Sequence, residues 1–155
     1  MIKIEVTSNS LGPALERLVG AAVDLTPLML SIAEELRGAV EENFEAQGRP
    51  AWVPLSETTK SRRRGEGAKI LQDSGQLASS ITVSHDATNA AVGTNKVYGP
   101  TQQFGAKKGE FGVTKRGAPI PWGDIPARPF LSVTEEDKEA IVALTEDYLR
   151  RALNA

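Results

Sequence analysis

The stretch TPLMLSIAEELRGAVEENF, residues 26–44, decides the fold. Its large apolar side chains recur every four residues, which is the pattern of a helix with one buried face. Thr26 predicts the N-cap, and Pro27 the first helical position, where its missing N–H costs nothing. Gln47-Gly48 ends the helix. The sequence therefore predicts a helix of about twenty residues with the apolar stripe Leu28, Ile32, Leu36, Val40 and Phe44.

Before this helix the sequence predicts one strand and one further helix. Ile2, Ile4 and Val6 alternate with polar residues, which is the period of a strand over residues 2–7 with one buried face. Ser10 can cap a helix that ends near residue 23. The two predicted helices therefore follow each other closely in the chain.

After the long helix come short elements. Residues 48–69 are interrupted by Gly and Pro and leave room for at most one short helix. Asp73 or Ser74 can cap another, which contains Leu77. A hairpin follows over residues 81–92, with residues 85–89 as its loop, and is expected to pair with the strand over residues 2–7.

The C-terminal third alternates between order and loop. A short helix is expected around residues 97–104, and residues 105–126, rich in Gly and Pro, are expected to form an exposed arm. Residues 126–131 must be extended because they contain two prolines, and they predict an edge strand. Thr134 with Asp137 resembles a capping box, which begins the last helix.

These elements predict an α+β fold in which two or three long helices pack on a small antiparallel sheet, with long loops or arms. The length of 155 residues predicts one domain spanning residues 1–155. No secretory signal or apolar run of eighteen residues occurs, so we expect a soluble protein made in a cytoplasm, without membrane contact. An exposed sheet edge pairs readily with another chain, which makes self-assembly an expectation.

The charge is segregated along the chain. Residues 1–59 carry a net charge of −5, residues 60–128 carry +6 and residues 129–155 carry −3. A basic segment between acidic ends can attract a polyanion, or it can let the basic surface of one subunit meet the acidic surface of another.

Catalysis has no support in the sequence. The chain has no cysteine and one histidine, His85, which sits in the predicted hairpin loop without an orienting partner. The adjacent carboxylates Glu34/Glu35 and Glu41/Glu42 point about 100° apart on a helix and are poorly placed to share a metal or a proton. No phosphate-binding loop, dinucleotide motif or nucleophile elbow occurs. We therefore expect no enzyme, no cofactor and no metal.

Two basic loops, residues 56–69 and 105–126, are the candidate interaction sites. Consecutive arginines favour contact with phosphates or carboxylates, which guanidinium groups bind bidentately. The plain alternative for both loops is solubilising charge. Trp52 and Trp122 stand beside prolines, and each is either a lid on the core or an intermolecular anchor. The candidate partner-binding residues are Arg62, Arg63, Arg64, Lys69, Lys107, Lys108, Lys115, Arg116 and Trp122.

Several runs in fixed order resemble the phage virion morphogenesis, or tail completion, family. They are WVPL at 52–55, ILQDSGQLASSI at 70–81, VGTN at 92–95, QFG at 103–105 and IPARPFL at 125–131. The resemblance implies a structural protein of the neck that completes the tail and joins it to the head. It also implies a homo-oligomeric ring, often of six copies, around the DNA channel.

Two functional hypotheses follow. The first is a virion neck protein whose basic loops contact other connector and tail proteins or line the lumen, made in the host cytoplasm and located in the virion. The second is a sequence-independent DNA-binding protein that acts through the basic central segment, with strongly salt-dependent binding.

Overall fold

The computed structural model describes residues 11–63 and 69–154 of the chain. The predicted strand over residues 2–7 lies outside these residues. In chain order the elements are α1 (Leu11–Val23), α2 (Thr26–Glu45), α3 (Glu57–Arg62), the strands β1 (Ile81–His85) and β2 (Ala90–Thr94), α4 (Gly99–Phe104) and α5 (Glu135–Asn154).

The long helix α2 is the centre of the described fold. It contacts both strands of the hairpin and also α5, which in turn contacts α1. Its predicted length of twenty residues is confirmed, but its predicted N-cap is wrong. Thr26 is the first helical residue, and the carboxylate of Asp24 accepts a hydrogen bond from its backbone N–H at 3.0 Å. The α+β prediction is confirmed, with a two-stranded antiparallel sheet in the described residues.

The end of α2 is fixed by a close backbone approach. Gln47 and Gly48 both have positive φ angles, and the N–H of Gly48 donates to the carbonyl of Asn43 at 2.8 Å. A Cβ atom on Gly48 would lie 2.5 Å from the Trp52 side chain, so only glycine fits this turn. The turn directs the indole of Trp52 back onto Phe44, edge to face.

The hairpin and the short helices differ from prediction in detail. His85 is the last residue of β1 and pairs with Ala90, so the loop is one residue shorter than expected. The carboxylate of Asp86 accepts backbone N–H bonds from Thr88 and Asn89, which lower its pKa to about 2. The short helix expected after residues 73–74 is a single 3₁₀ turn at Ala78–Ser80 without a side-chain cap.

The predicted edge strand at residues 126–131 is wrong. The segment is extended but pairs with no neighbouring strand. The Arg128 N–H donates to the backbone carbonyl of Gln102 at 2.8 Å, and side chains satisfy the groups that follow. The amide of Asn43 donates to the carbonyls of Phe130 and Ser132 at 3.0 and 2.8 Å. The side-chain carbonyl of Gln103 accepts the N–H groups of Phe130 and Leu131, each at 3.0 Å. With these groups occupied, no ladder forms.

The same segment carries the centre of the core. Phe130 is fully buried, with 0% exposure, and its ring lies 5.7 Å from that of Phe44. The indole N–H of Trp52 donates to the carbonyl of Pro129 at 3.0 Å, so this buried polar group is also satisfied. Of the two alternatives for Trp52, a lid on the core or an intermolecular anchor, the structure shows the lid.

The predicted capping box at the beginning of α5 is confirmed. The carboxylate of Asp137 accepts the Thr134 N–H at 2.8 Å, and the Thr134 hydroxyl accepts the Asp137 N–H at 3.2 Å. Arg49 adds two hydrogen bonds to Asp137, at 3.0 and 2.9 Å. Burial raises the pKa of this carboxyl, but the hydrogen bonds from Thr134 and Arg49 outweigh burial and hold the pKa below its ordinary value.

Asn43→Ala should lower the free energy of unfolding by about 2 to 3 kcal/mol, because the carbonyls of Phe130 and Ser132 lose their donor and the Nε of Arg49 loses its acceptor. Urea denaturation followed by circular dichroism measures this loss. The control is Asn95→Ala at an exposed site, which should change the free energy by less than about 0.5 kcal/mol. Equal effects of the two substitutions would contradict the role of Asn43.

Candidate functional site

The first basic loop begins as a helix, and its two described arginines, Arg62 and Arg63, differ in exposure. The Ser56 hydroxyl caps α3 by accepting the Thr59 N–H at 3.2 Å. Arg62, at the end of α3, is exposed, as is Lys69, while Arg64 lies outside the described residues. The described part of the loop therefore does not present a row of three free guanidinium groups.

Arg63 turns inward instead. Its side chain is 13% exposed, its Nη1 donates to the carbonyl of Lys69, and its Nε lies 3.9 Å from a carboxylate oxygen of Asp73. Asp73 is itself exposed, and at 3.9 Å the ion pair is loose. The guanidinium of Arg63 can therefore still bind a negative group in the cavity that its side chain lines.

A second inward arginine, Arg128, was missed by the sequence analysis. It is 7% exposed, and it donates from Nε to the carbonyl of Val53 at 3.0 Å and from Nη2 to that of Pro54 at 3.3 Å. Within the described residues no carboxylate forms a salt bridge with it. Burial lowers the pKa of its guanidinium, and the positive charge of Arg63 lowers it further.

Arg63 and Arg128 line the same cleft, which we call the arginine cleft and which has a volume of about 540 Å³. Half of its twelve lining residues are apolar, two hydroxyl groups add hydrogen-bonding capacity, and the carboxylate of Asp124 also borders the cleft. Such a lining, apolar with two convergent positive groups, suits a carboxylate carried on an apolar surface. The cleft is lined by Arg63, Arg128, Ser56, Thr59, Val53, Pro54, Leu55, Leu71, Gln102, Asp124, Ile125 and Pro126.

The predicted arm, residues 105–126, is more regular than its composition suggests. Its two legs are joined by the bridges Ala106↔Ile125 and Val113↔Pro119. At its base, Gly105 has a φ of 77°, and a Cβ atom there would lie 2.6 Å from the carbonyl of Ile125. Glycine is therefore required where the two legs come together.

The arm presents both basic and apolar side chains to solvent. Lys107, Lys108, Lys115 and Arg116 are exposed, and Trp122 is 75% exposed, so Trp122 is not a core lid. Phe104, Phe111 and Val113 are exposed as well.

Asp124 fastens the base of the arm and also borders the arginine cleft. Its carboxylate accepts the Lys108 N–H at 2.8 Å and lies 3.7 Å from the Lys107 ammonium. The Lys108 hydrogen bond and the Lys107 charge lower its pKa. Asp124, Ile125 and Pro126 line both the cleft and a neighbouring hollow under the arm. Cleft and arm base therefore form one continuous surface.

Among the described residues no three His, Asp or Glu side chains come together as metal ligands. No described helix is both long enough and apolar enough to cross a membrane.

Comparison with known proteins now gives the family. The model of the phage virion morphogenesis family matches residues 6–150. The chain belongs to this family. It is 40% identical over 151 residues to Mu-like prophage FluMu G protein 2 of Haemophilus influenzae, covering 97% of both chains. It is 29% identical over 131 residues to "Putative capsid assembly protein G" of Escherichia phage Mu, covering 80% of this chain and 76% of the relative.

This phage virion morphogenesis protein therefore belongs to a structural family rather than to a family of enzymes. The resemblance predicted from the sequence runs is confirmed. No solved structure matches the chain significantly.

Asp124→Ala should loosen the base of the arm, because the Lys108 N–H loses its acceptor and Lys107 loses its ion partner. Limited digestion with trypsin should then cut at Lys107, Lys108, Lys115 or Arg116 severalfold faster than in the native protein. Asp147→Ala on α5, which removes a carboxylate paired with Arg151, should leave this rate unchanged. Equal rates in the Asp124 variant and the native protein would show that Asp124 does not fasten the arm.

Proposed function

We propose that this virion morphogenesis protein is a neck component of the tail-completion type. It assembles as a ring at the head–tail junction, completes the tail and enables the tail to join the head. The observation that carries the proposal is the family match over residues 6–150, almost the whole chain. The printed name of the phage Mu relative, a capsid assembly protein, agrees with a role in building the virion.

The exposed side chains of the arm support a role in contacts with other proteins. Apolar and aromatic groups clustered on a surface mark interaction sites in soluble proteins. Tryptophan and arginine are also the residues that most often dominate binding energy at interfaces. The arm combines Trp122 and Phe111 with Lys115 and Arg116, all exposed.

A ring requires two different surfaces on each copy that fit each other, because its contacts are heterologous. The segregated charge supplies such a pair, with a basic central segment and acidic ends. The family resemblance implies six copies. The partners proposed are further copies, connector proteins and tail proteins, in the neck of the virion, after assembly in the host cytoplasm.

Sequence-independent DNA binding is the alternative function, favoured by the four exposed basic residues of the arm. Such binding would fall steeply with salt concentration as counterions are released. In a ring the same residues would face DNA in the lumen. Absence of duplex binding by the isolated chain at low salt would dismiss the alternative.

Replacing Arg62, Arg63 and Arg64 together with alanine should leave a folded protein but prevent tails from joining heads. The reason is the loss of positive charge from a loop proposed to contact neighbouring virion proteins. The measurement is infectious yield after complementation of a phage that lacks the gene, with electron microscopy of unjoined heads and tails.

The matched control replaces three other basic residues, Lys96, Arg150 and Arg151, with alanine. It changes the net charge equally and should leave the yield near the native value. A native yield from the variant at residues 62–64 would remove those residues from the proposal, and particles without the protein would overturn the neck role.

A further inference from the structure

We propose that the acidic outer face of α5 in one copy docks into the arginine cleft of a second copy. This inference rests on the proposed ring and names the two surfaces that build it. The outer face of α5 is the surface formed by Glu135, Lys138, Glu139, Val142, Ala143 and Glu146, with three carboxylates and one ammonium group.

The arginine cleft requires a negative partner from outside its own chain. Arg128 is buried, donates only to two backbone carbonyls and has no carboxylate partner among the described residues. Arg63 adds a second positive charge to the cleft, with a loose contact to exposed Asp73. The carboxylate of Asp124 also borders the cleft, but it is engaged by Lys107 and by the Lys108 N–H. A buried charge without a counter-charge is costly, so a carboxylate entering the cleft would be bound favourably.

The outer face of α5 has the complementary chemistry. Val142, 56% exposed, and Ala143 form an apolar centre, with Glu139 and Glu146 on either side. These residues lie on one side of the helix because they are spaced by three or four. Glu135 is paired with Lys138, but within the described chain neither Glu139 nor Glu146 has a hydrogen-bond or ion-pair partner. The other side of α5 packs on α1 and α2.

The two surfaces have complementary charged and apolar groups. The carboxylate of Glu139 would meet the two guanidinium groups, and Val142 would meet the apolar walls at Val53 and Ile125. Among the described residues no hydrogen bond or ion pair joins the two surfaces within one copy. Because the surfaces differ, each copy can bind two neighbours head to tail, which is the contact that closes a ring.

A duplex fits the cleft less well than a protein surface does. Arg128 lies too deep, at 7% exposure, to reach the phosphates of a rigid helix. The apolar walls also offer nothing to a phosphate backbone, whereas they would bury Val142. The observations therefore favour a second copy over DNA.

The test mixes two variants with opposite defects. Arg63→Glu reverses a charge in the cleft and leaves the outer face of α5 native. Glu139→Lys reverses a charge on the outer face of α5 and leaves the cleft native. Alone, each should associate about a hundredfold more weakly than the native protein, because a like charge replaces one side of a close ion pair. Mixed in equal amounts, they should form dimers at least, since the native α5 face of the Arg63 variant fits the native cleft of the Glu139 variant. Sedimentation velocity measures all four samples.

Two further variants serve as controls, and a third separates charge from folding. Lys96→Glu and Glu45→Lys make the same charge changes at positions outside both surfaces and should associate like the native protein. Arg63→Gln removes the charge without reversing it, in case the glutamate disturbs folding, and should also weaken association.

The interface would be overturned if Arg63→Glu and Glu139→Lys each associated like the native protein, or if their mixture formed no dimers. Either result would leave the ring proposal itself intact. A native protein that stays monomeric at high concentration would also overturn it. Loss of duplex binding instead of association in the Arg63 variants would assign the cleft to DNA. Failure of the neck role itself would appear separately, in the infectious yield.

Discussion

The segment from Pro129 to Ser132 is held in the core by side chains, and the rest of the described fold depends on this contact. Asn43 from α2, Trp52 from the following turn and Gln103 from α4 each supply a hydrogen bond to its backbone. Each partner comes from a different part of the chain, so the segment ties these parts together. Phe130 fills the space between them and is completely buried.

The functional surface follows from this contact. Arg128 precedes the segment directly, so fixing Pro129 and Phe130 also fixes the guanidinium beneath the arginine cleft. On the other side of the segment, Thr134 and Asp137 begin α5 and attach it to Arg49. One extended stretch thereby sets the positions of both surfaces that we propose to meet in the ring. Rigid placement of this kind lowers the entropy lost on association.

The long helices and the hairpin were predicted from hydrophobic periodicity, and the capping box from the residue types at its two positions. All of these signals are local in sequence. The edge strand at residues 126–131 was wrong for a reason that local signals do not contain. The prolines correctly predicted an extended backbone, but the side chains that bind it are up to 87 residues away in sequence.

The candidate site was predicted only in part. The basic loops and the exposed Trp122 follow from composition, whereas the inward turn of Arg63 depends on its burial beside Asp73. Arg128 was missed because it lies within a run interpreted as a strand. No local signal marks it as buried, because arginine is mostly exposed in proteins. Which partners it has, and that no carboxylate of the described residues is among them, only the fold shows.

Native-state hydrogen exchange of the Phe130 and Leu131 amides tests this account most directly. Both donate to the Gln103 side chain, and if that contact holds the fold together, they open only when the whole chain unfolds. Their exchange should then have the same free energy as that of Val40 and Phe44 in α2. Fast exchange of Phe130 and Leu131 through local opening, while α2 stays protected, would contradict the central role of this segment.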